Sequence, residues 1–260
     1  MTDAYYLPTT GDRFLPTMHT AGPWSADAQH MGPPAALLAR AMRLCEPRED
    51  TVLSKLTVDI LGPLPLAEFE VRATVLRPGR TVELVGAELA FDGRVTARAT
   101  GWRLVRTDTS EHAVGAPDPM AGPEQGHERP MPTGWYTDGY LDSVEWRWLS
   151  GSWEELGPAL VWGRPRHELV AGEPTDGLDS LLIVTDSASG LSARLDPGAG
   201  WLFPNTDLTV HLYRPPTGRW AGLGAHTTLG PGGAAVAGAI LHDGRGPVGV
   251  SAQILTVRHR

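Results

Sequence analysis

Two patterns of apolar residues alternate along this chain. Around Pro33-Pro34 the residues Ala35-Ala36-Leu37-Leu38-Ala39-Arg40-Ala41-Met42 are strong helix formers, and proline suits the first helical turn. The predicted helix is apolar on nearly every side, as expected of one wrapped by strands. Strand-like runs follow at 52–61, 69–76, 82–91 and 95–105. Glu70-Val71-Arg72-Ala73-Thr74-Val75 alternates strictly, the mark of a sheet with one covered face. The order then repeats. Asp176-Gly177-Leu178-Asp179 opens a candidate helix running to about Ala193, and strands are expected at 208–213, 221–229, 234–241 and 248–257.

The repetition extends to residues. Leu56-Thr57-Val58-Asp59 has a counterpart in Leu208-Thr209-Val210-His211. Each is followed at similar spacing by a Pro-Gly turn (Pro78-Gly79, Pro231-Gly232) and then by Asp-Gly-Arg (Asp92-Gly93-Arg94, Asp243-Gly244-Arg245). A repeat unit of this length predicts two fused copies of a small domain. We expect a first unit at 1–106, a polar mobile linker at 107–134 and a second unit at 135–260. Trp135, Trp146, Trp148, Trp153 and Trp162 cluster early in the second unit and are expected to pack its entry strands.

Composition narrows the class. The 260 residues carry a net charge of −8, which argues against nucleic acid as the main partner. No apolar run approaches the ~20 residues needed to span a bilayer. Met1-Thr2-Asp3-Ala4 does not open a signal peptide, and Cys45 is the single cysteine, so a cytoplasmic protein without disulfides is expected. There is no Gly-x-Ser-x-Gly elbow, no His-Glu-x-x-His or paired Cys-x-x-Cys for zinc, and no phosphate loop. No metal or cofactor is expected.

A long helix wrapped by an antiparallel sheet, present twice, describes an α+β double hotdog. Trp24-Ser25-Ala26-Asp27-Ala28-Gln29-His30 followed by Gly32-Pro33-Pro34 resembles the start of actinobacterial thioesterase-family proteins. So do Asn205-Thr206-Asp207-Leu208 with Arg214-Pro215, and Gly246-Pro247-Val248-Gly249 with Ala252-Gln253. More distantly the chain resembles the acyl-CoA thioesterase II family, in which an Asp, a Thr and a Gln activate water without a covalent intermediate. The resemblance implies hydrolysis of an acyl-CoA or acyl-carrier-protein thioester, with Asp207, Thr227 and Gln253 as the catalytic set. Thr227 and Thr228 compete for the threonine role. Asp207 also reads as a turn residue before a strand. Gln29, His30, Gly32 and Thr228 are candidate substrate-binding residues, with amides of the helix start near Gly32 available to polarise a carbonyl. Homo-oligomerisation is compatible with this reading. The repeat aligns Lys55 with Asp207, Thr74 with Thr227 and Trp102 with Gln253, so one cleft is expected to be active. A hotdog dehydratase or other acyl-modifying enzyme of secondary metabolism, and a non-catalytic acyl-CoA binder, are the competing readings.

Overall fold

The computed structural model describes residues 3–260. In the first half, β1 (Ala4–Pro8) and β2 (Arg13–Pro16) precede helix α1 (Gly32–Leu44) and strands β3 (Thr51–Ile60), β4 (Phe69–Arg77), β5 (Val82–Phe91) and β6 (Arg94–Val105). The second half runs β7 (Val144–Ser150), β8 (Ala159–Pro165), β9 (Glu168–Val170), α2 (Gly177–Thr185), α3 (Ala188–Leu191) and β10 (Trp201–Leu202). It ends with β11 (Asp207–Leu212), β12 (Ala221–Leu229), β13 (Ala234–Asp243), β14 (Gly246–Thr256) and β15 (Arg258–His259).

Thirteen strands form one sheet in the order β7-β8-β12-β13-β14-β11-β3-β6-β5-β4-β2-β1-β9. Read outward from the β3–β11 junction, the two sides have the same strand order, except that β9 has no counterpart. Pairing the halves in this way shields two edges that separate copies would expose. At the junction Thr57 pairs with Thr209, and their hydroxyls lie 3.4 Å apart. These two residues are also sequence equivalents, 152 positions apart. The pseudo-twofold axis of the molecule therefore passes between them.

The inward faces follow from alternation. Val71 in β4, Val85, Ala87 and Leu89 in β5, and Leu208 and Val210 in β11 are buried against the helices. Helix α1 is buried from Gly32 through Ala39 and begins with two prolines, whose missing N–H groups cost nothing in a first turn. Helix α2 starts with a reciprocal capping box between Asp176 and Asp179. Arg43, in the last turn of α1, bonds both of those aspartates. At the opposite end Gly32 abuts the end of α2, where a Cβ would stand 2.1 Å from the Ile183 carbonyl oxygen. The two helices thus lie antiparallel inside the sheet.

The expected single second helix is interrupted. It stops at Thr185 and resumes at Ala188, with the Ser187 amide bonding back to the Val184 carbonyl in a tightened turn. The early strands β1, β2 and β9 escape the repeat pattern because they are only three to five residues long. Strand β1 pairs in parallel with β9, joining the start of the chain to the second half. Between the halves, the expected linker lies along β7 and β8 of the sheet: His127 bridges to Trp148, and the Trp162 indole donates to the Ala121 carbonyl at 2.7 Å. Trp146, Trp148, Trp153 and Trp162 are buried, whereas Trp135 is half-buried. Among the described residues, no helix is long and apolar enough to cross a membrane.

Candidate active site

The interruption of the second helix places a carboxylate in the interior. Asp186 is 3% exposed, just past the end of a helix whose buried face includes Leu181, Leu182, Ile183 and Val184. Its Oδ1 accepts two carboxamide N–H bonds, from Asn205 Nδ2 at 2.8 Å and Gln253 Nε2 at 2.7 Å. Gln253 also donates to the Asp186 backbone carbonyl at 3.0 Å. Two acceptors on one side of the amide fix its orientation, and Gln253 Oε1 is left buried without a partner among the described residues. Asn205 is held in turn by the Asp207 carbonyl at 3.0 Å.

The first half completes the group. His30 Nδ1 lies 3.5 Å from Asp186 Oδ2 and accepts the Gly32 amide proton at 3.1 Å. The His30 ring is stacked on Tyr140, with centroids 3.7 Å apart and planes 4° from parallel. Tyr140 is anchored by its hydroxyl to the Ile183 carbonyl at 2.7 Å and to Ser187 Oγ at 2.8 Å. A cleft of about 290 Å³ opens over these groups; His30, Asp186 and Asn205 line it on the polar side, and Trp24, Trp135 and Trp153 on the apolar side. Burial raises the Asp186 carboxyl to about 7, against the opposing pull of the Asn205 and Gln253 hydrogen bonds. The nearby Asp207 charge adds to the rise. Burial also depresses His30 to about 3, which keeps the imidazole neutral.

The structure distributes the sequence-derived candidates differently. Gln253, 1% exposed, stands at the centre of the group. Asp207 begins β11, but its Oδ1 accepts the Ile254 backbone amide at 2.7 Å. Thr227 is buried on the inner face of β12, where its hydroxyl is shared with Ser192 Oγ at 2.8 Å. Among the described residues, no hydrogen bond joins Asp207, Thr227 and Gln253 to one another. Thr228 faces the exposed side of the sheet, because side chains alternate along a strand. Gln29 borders the cleft, with its Nε2 bound to the Pro65 carbonyl and its Oε1 to Tyr6 Oη, both at 2.9 Å. At the helix start the expected free amides are spent: Gly32 on His30, Met31 on Asp186, and Pro33 and Pro34 have none.

Asp186 and Asn205 escaped sequence reasoning. The available signal was an acidic residue soon after the apolar run Leu181-Leu182-Ile183-Val184, a placement that asks for partners. Asn205, in turn-like Asn205-Thr206-Asp207, gave no separate signal. The alignment between copies also needs correction by one residue. The ladder that pairs Gln253 with Ala237 and Ala237 with Thr227 is matched by one pairing Gly101 with Val85 and Val85 with Val75. Gly101 and Val75 are therefore the counterparts of Gln253 and Thr227, displacing Trp102 and Thr74. Asn205 bridges Leu255 as Leu53 pairs with Arg103, so leucine stands where the second copy has the carboxamide.

Several solved structures match this chain over nearly its full length. A conserved hot dog fold protein from Alicyclobacillus acidocaldarius has a TM-score of 0.76 at 16% identity, covering 99% of this chain and 97% of its own. The tesB protein of Mycobacterium avium subsp. paratuberculosis gives 0.66 at 16% identity, covering 96% and 95%. An acyl-CoA thioesterase II from Mycobacterium marinum gives 0.65 at 13% identity, covering 96% and 92%. At these identities the likeness is one of fold. No curated protein matches the sequence significantly. The family model of the acyl-CoA thioesterase N-terminal domain matches residues 20–104, and that of the C-terminal domain matches residues 123–257. With both domain models placed in order over most of its length, this double-hotdog chain belongs to the acyl-CoA thioesterase family.

Proposed function

We propose that the protein hydrolyses acyl thioesters, carried on coenzyme A or on a carrier protein, with Asp186 as general base. The observation that carries this reading is a buried carboxyl at about 7, gripped by two carboxamides at the polar wall of an otherwise apolar cleft. A base with that value is half-ionised near neutrality, where proton transfer is most effective. Water bound between Asp186 and the unpartnered Gln253 Oε1 has acceptors for both of its protons. Its oxygen attacks the thioester carbon while Asp186 takes one proton. Collapse of the tetrahedral intermediate breaks the C–S bond, and Asp186 returns the proton to the departing thiolate. The Gly32 amide fixes the proton of neutral His30 on Nε2, and we assign that N–H to the developing oxyanion in place of the helix-start amides.

Thiol release from a panel of acyl-CoA substrates tests the assignment. Asp186→Asn should lose at least ~100-fold in turnover, the lower range for a general base. Asp207→Asn, which leaves that carboxyl intact, should stay within a few-fold. The reverse result would return the role of base to Asp207. The His30–Asp186 approach supports one second reading, a dehydratase in which the pair shuttles a proton on a 3-hydroxyacyl thioester. Enoyl product without free thiol would establish that reading instead.

A further inference from the structure

Beside the start of β1, three metal-ligating side chains converge from separate parts of the chain. Asp3 immediately precedes β1, His19 lies in the single turn Met18–Thr20, and His167 occupies the tight turn between β8 and β9. Asp3 Oδ1 is 2.5 Å from His19 Nε2, and Asp3 Oδ2 is 3.0 Å from His167 Nδ1. All three donor atoms lie within 4.8 Å of one another. Ligands bonded at ~2.0–2.2 Å to one ion are separated from each other by about 3 Å, so small rotations would seat all three on a common centre.

The two imidazoles are stacked, with centroids 3.8 Å apart and planes 20° from parallel, so that one carboxylate reaches a nitrogen of each ring. Side-chain exposures of 14% for His167 and 31% for His19 leave the group open to ions from solvent.

We propose that Asp3, His19 and His167 bind one divalent transition-metal ion, with zinc the best match to two imidazoles and a carboxylate. Three protein ligands leave a fourth position for water. The ion would act as a clasp: β1 pairs in parallel with β9, and the ligands sit on both sides of that seam between the halves.

Untagged full-length protein, stripped with EDTA, should take up one equivalent of Zn²⁺ in a calorimetric titration. Saturation at about 100 times the dissociation constant should raise Tm by about 5 °C. Co²⁺ in place of Zn²⁺ should give the visible absorption bands of a low-coordinate nitrogen–oxygen site. The double variant His19→Ala/His167→Ala should lose the Co²⁺ bands and its metal-dependent Tm shift, whatever its stability without metal. Asp3→Asn should weaken binding at least tenfold. Absence of stoichiometric binding in the parent protein overturns the proposal. So does undiminished binding in the double variant, which would place the ion on other histidines.

Discussion

As the proposed base, Asp186 would couple chemistry to pH through one carboxyl raised to about 7. If it is the base, turnover should rise with pH through about 7 and then level off; a profile flat from pH 5 to 9 would remove it from the mechanism. The same carboxyl acts on stability with a definite sign. Its folded value lies above the unfolded one near 3.8, so its contribution is complete at lower pH and declines as pH rises towards 7. The stability of Asp186→Asn relative to the parent should therefore increase by about 1.4 kcal/mol per pH unit inside that window, measured by urea denaturation. Thr227 provides the contrasting case. Its hydroxyl bonds Ser192, so Thr227→Val should cost about 1 kcal/mol of stability and leave turnover nearly unchanged. A large loss of turnover would restore Thr227 to the catalytic set. The second of these residues was readable as polar and strand-borne, but its partner was not. Gln253 was legible because it closes a recognisable strand motif. Asp186 was not, since its meaning depends on Asn205 and Gln253, distant in sequence and brought to it only by the fold.

At the scale of elements, the course of α1 and of the eight long strands was plain from periodicity, because each buries one face and repeats. The break between α2 and α3 was not, since no glycine or proline stands in it and Thr185-Asp186-Ser187 is equally compatible with the polar side of a continuous helix. That break turns Asp186 towards Asn205 and Gln253. The close approach of α1 to α2 depends on Gly32, where any Cβ collides with the Ile183 carbonyl. Gly32→Ala should cost ~1–3 kcal/mol or more through overpacking, read as a lower urea midpoint. Because the Gly32 amide also holds His30, the variant should lose turnover beyond what its unfolded fraction explains. Normal stability would mean that the helices can separate without penalty.

Across the whole molecule, one apolar core runs through both halves and one sheet crosses their junction. Thermal unfolding followed by near-ultraviolet signals, dominated by tryptophans of the second half, should coincide with backbone unfolding in a single transition. Two separated transitions would mean that the halves are energetically independent. The duplication was visible in the order of turns, but its axis was not, because equivalence to the residue requires the strand ladder. Passing between Thr57 and Thr209, that axis has an evolutionary consequence. Two identical subunits related by it would carry every substitution in both clefts at once, so losing a carboxamide from one would lose it from the other. Covalent fusion makes the two positions separate loci. Leucine at 53 and glycine at 101 could then arise without touching Asn205 and Gln253, freeing one half to drift towards packing while selection held the other.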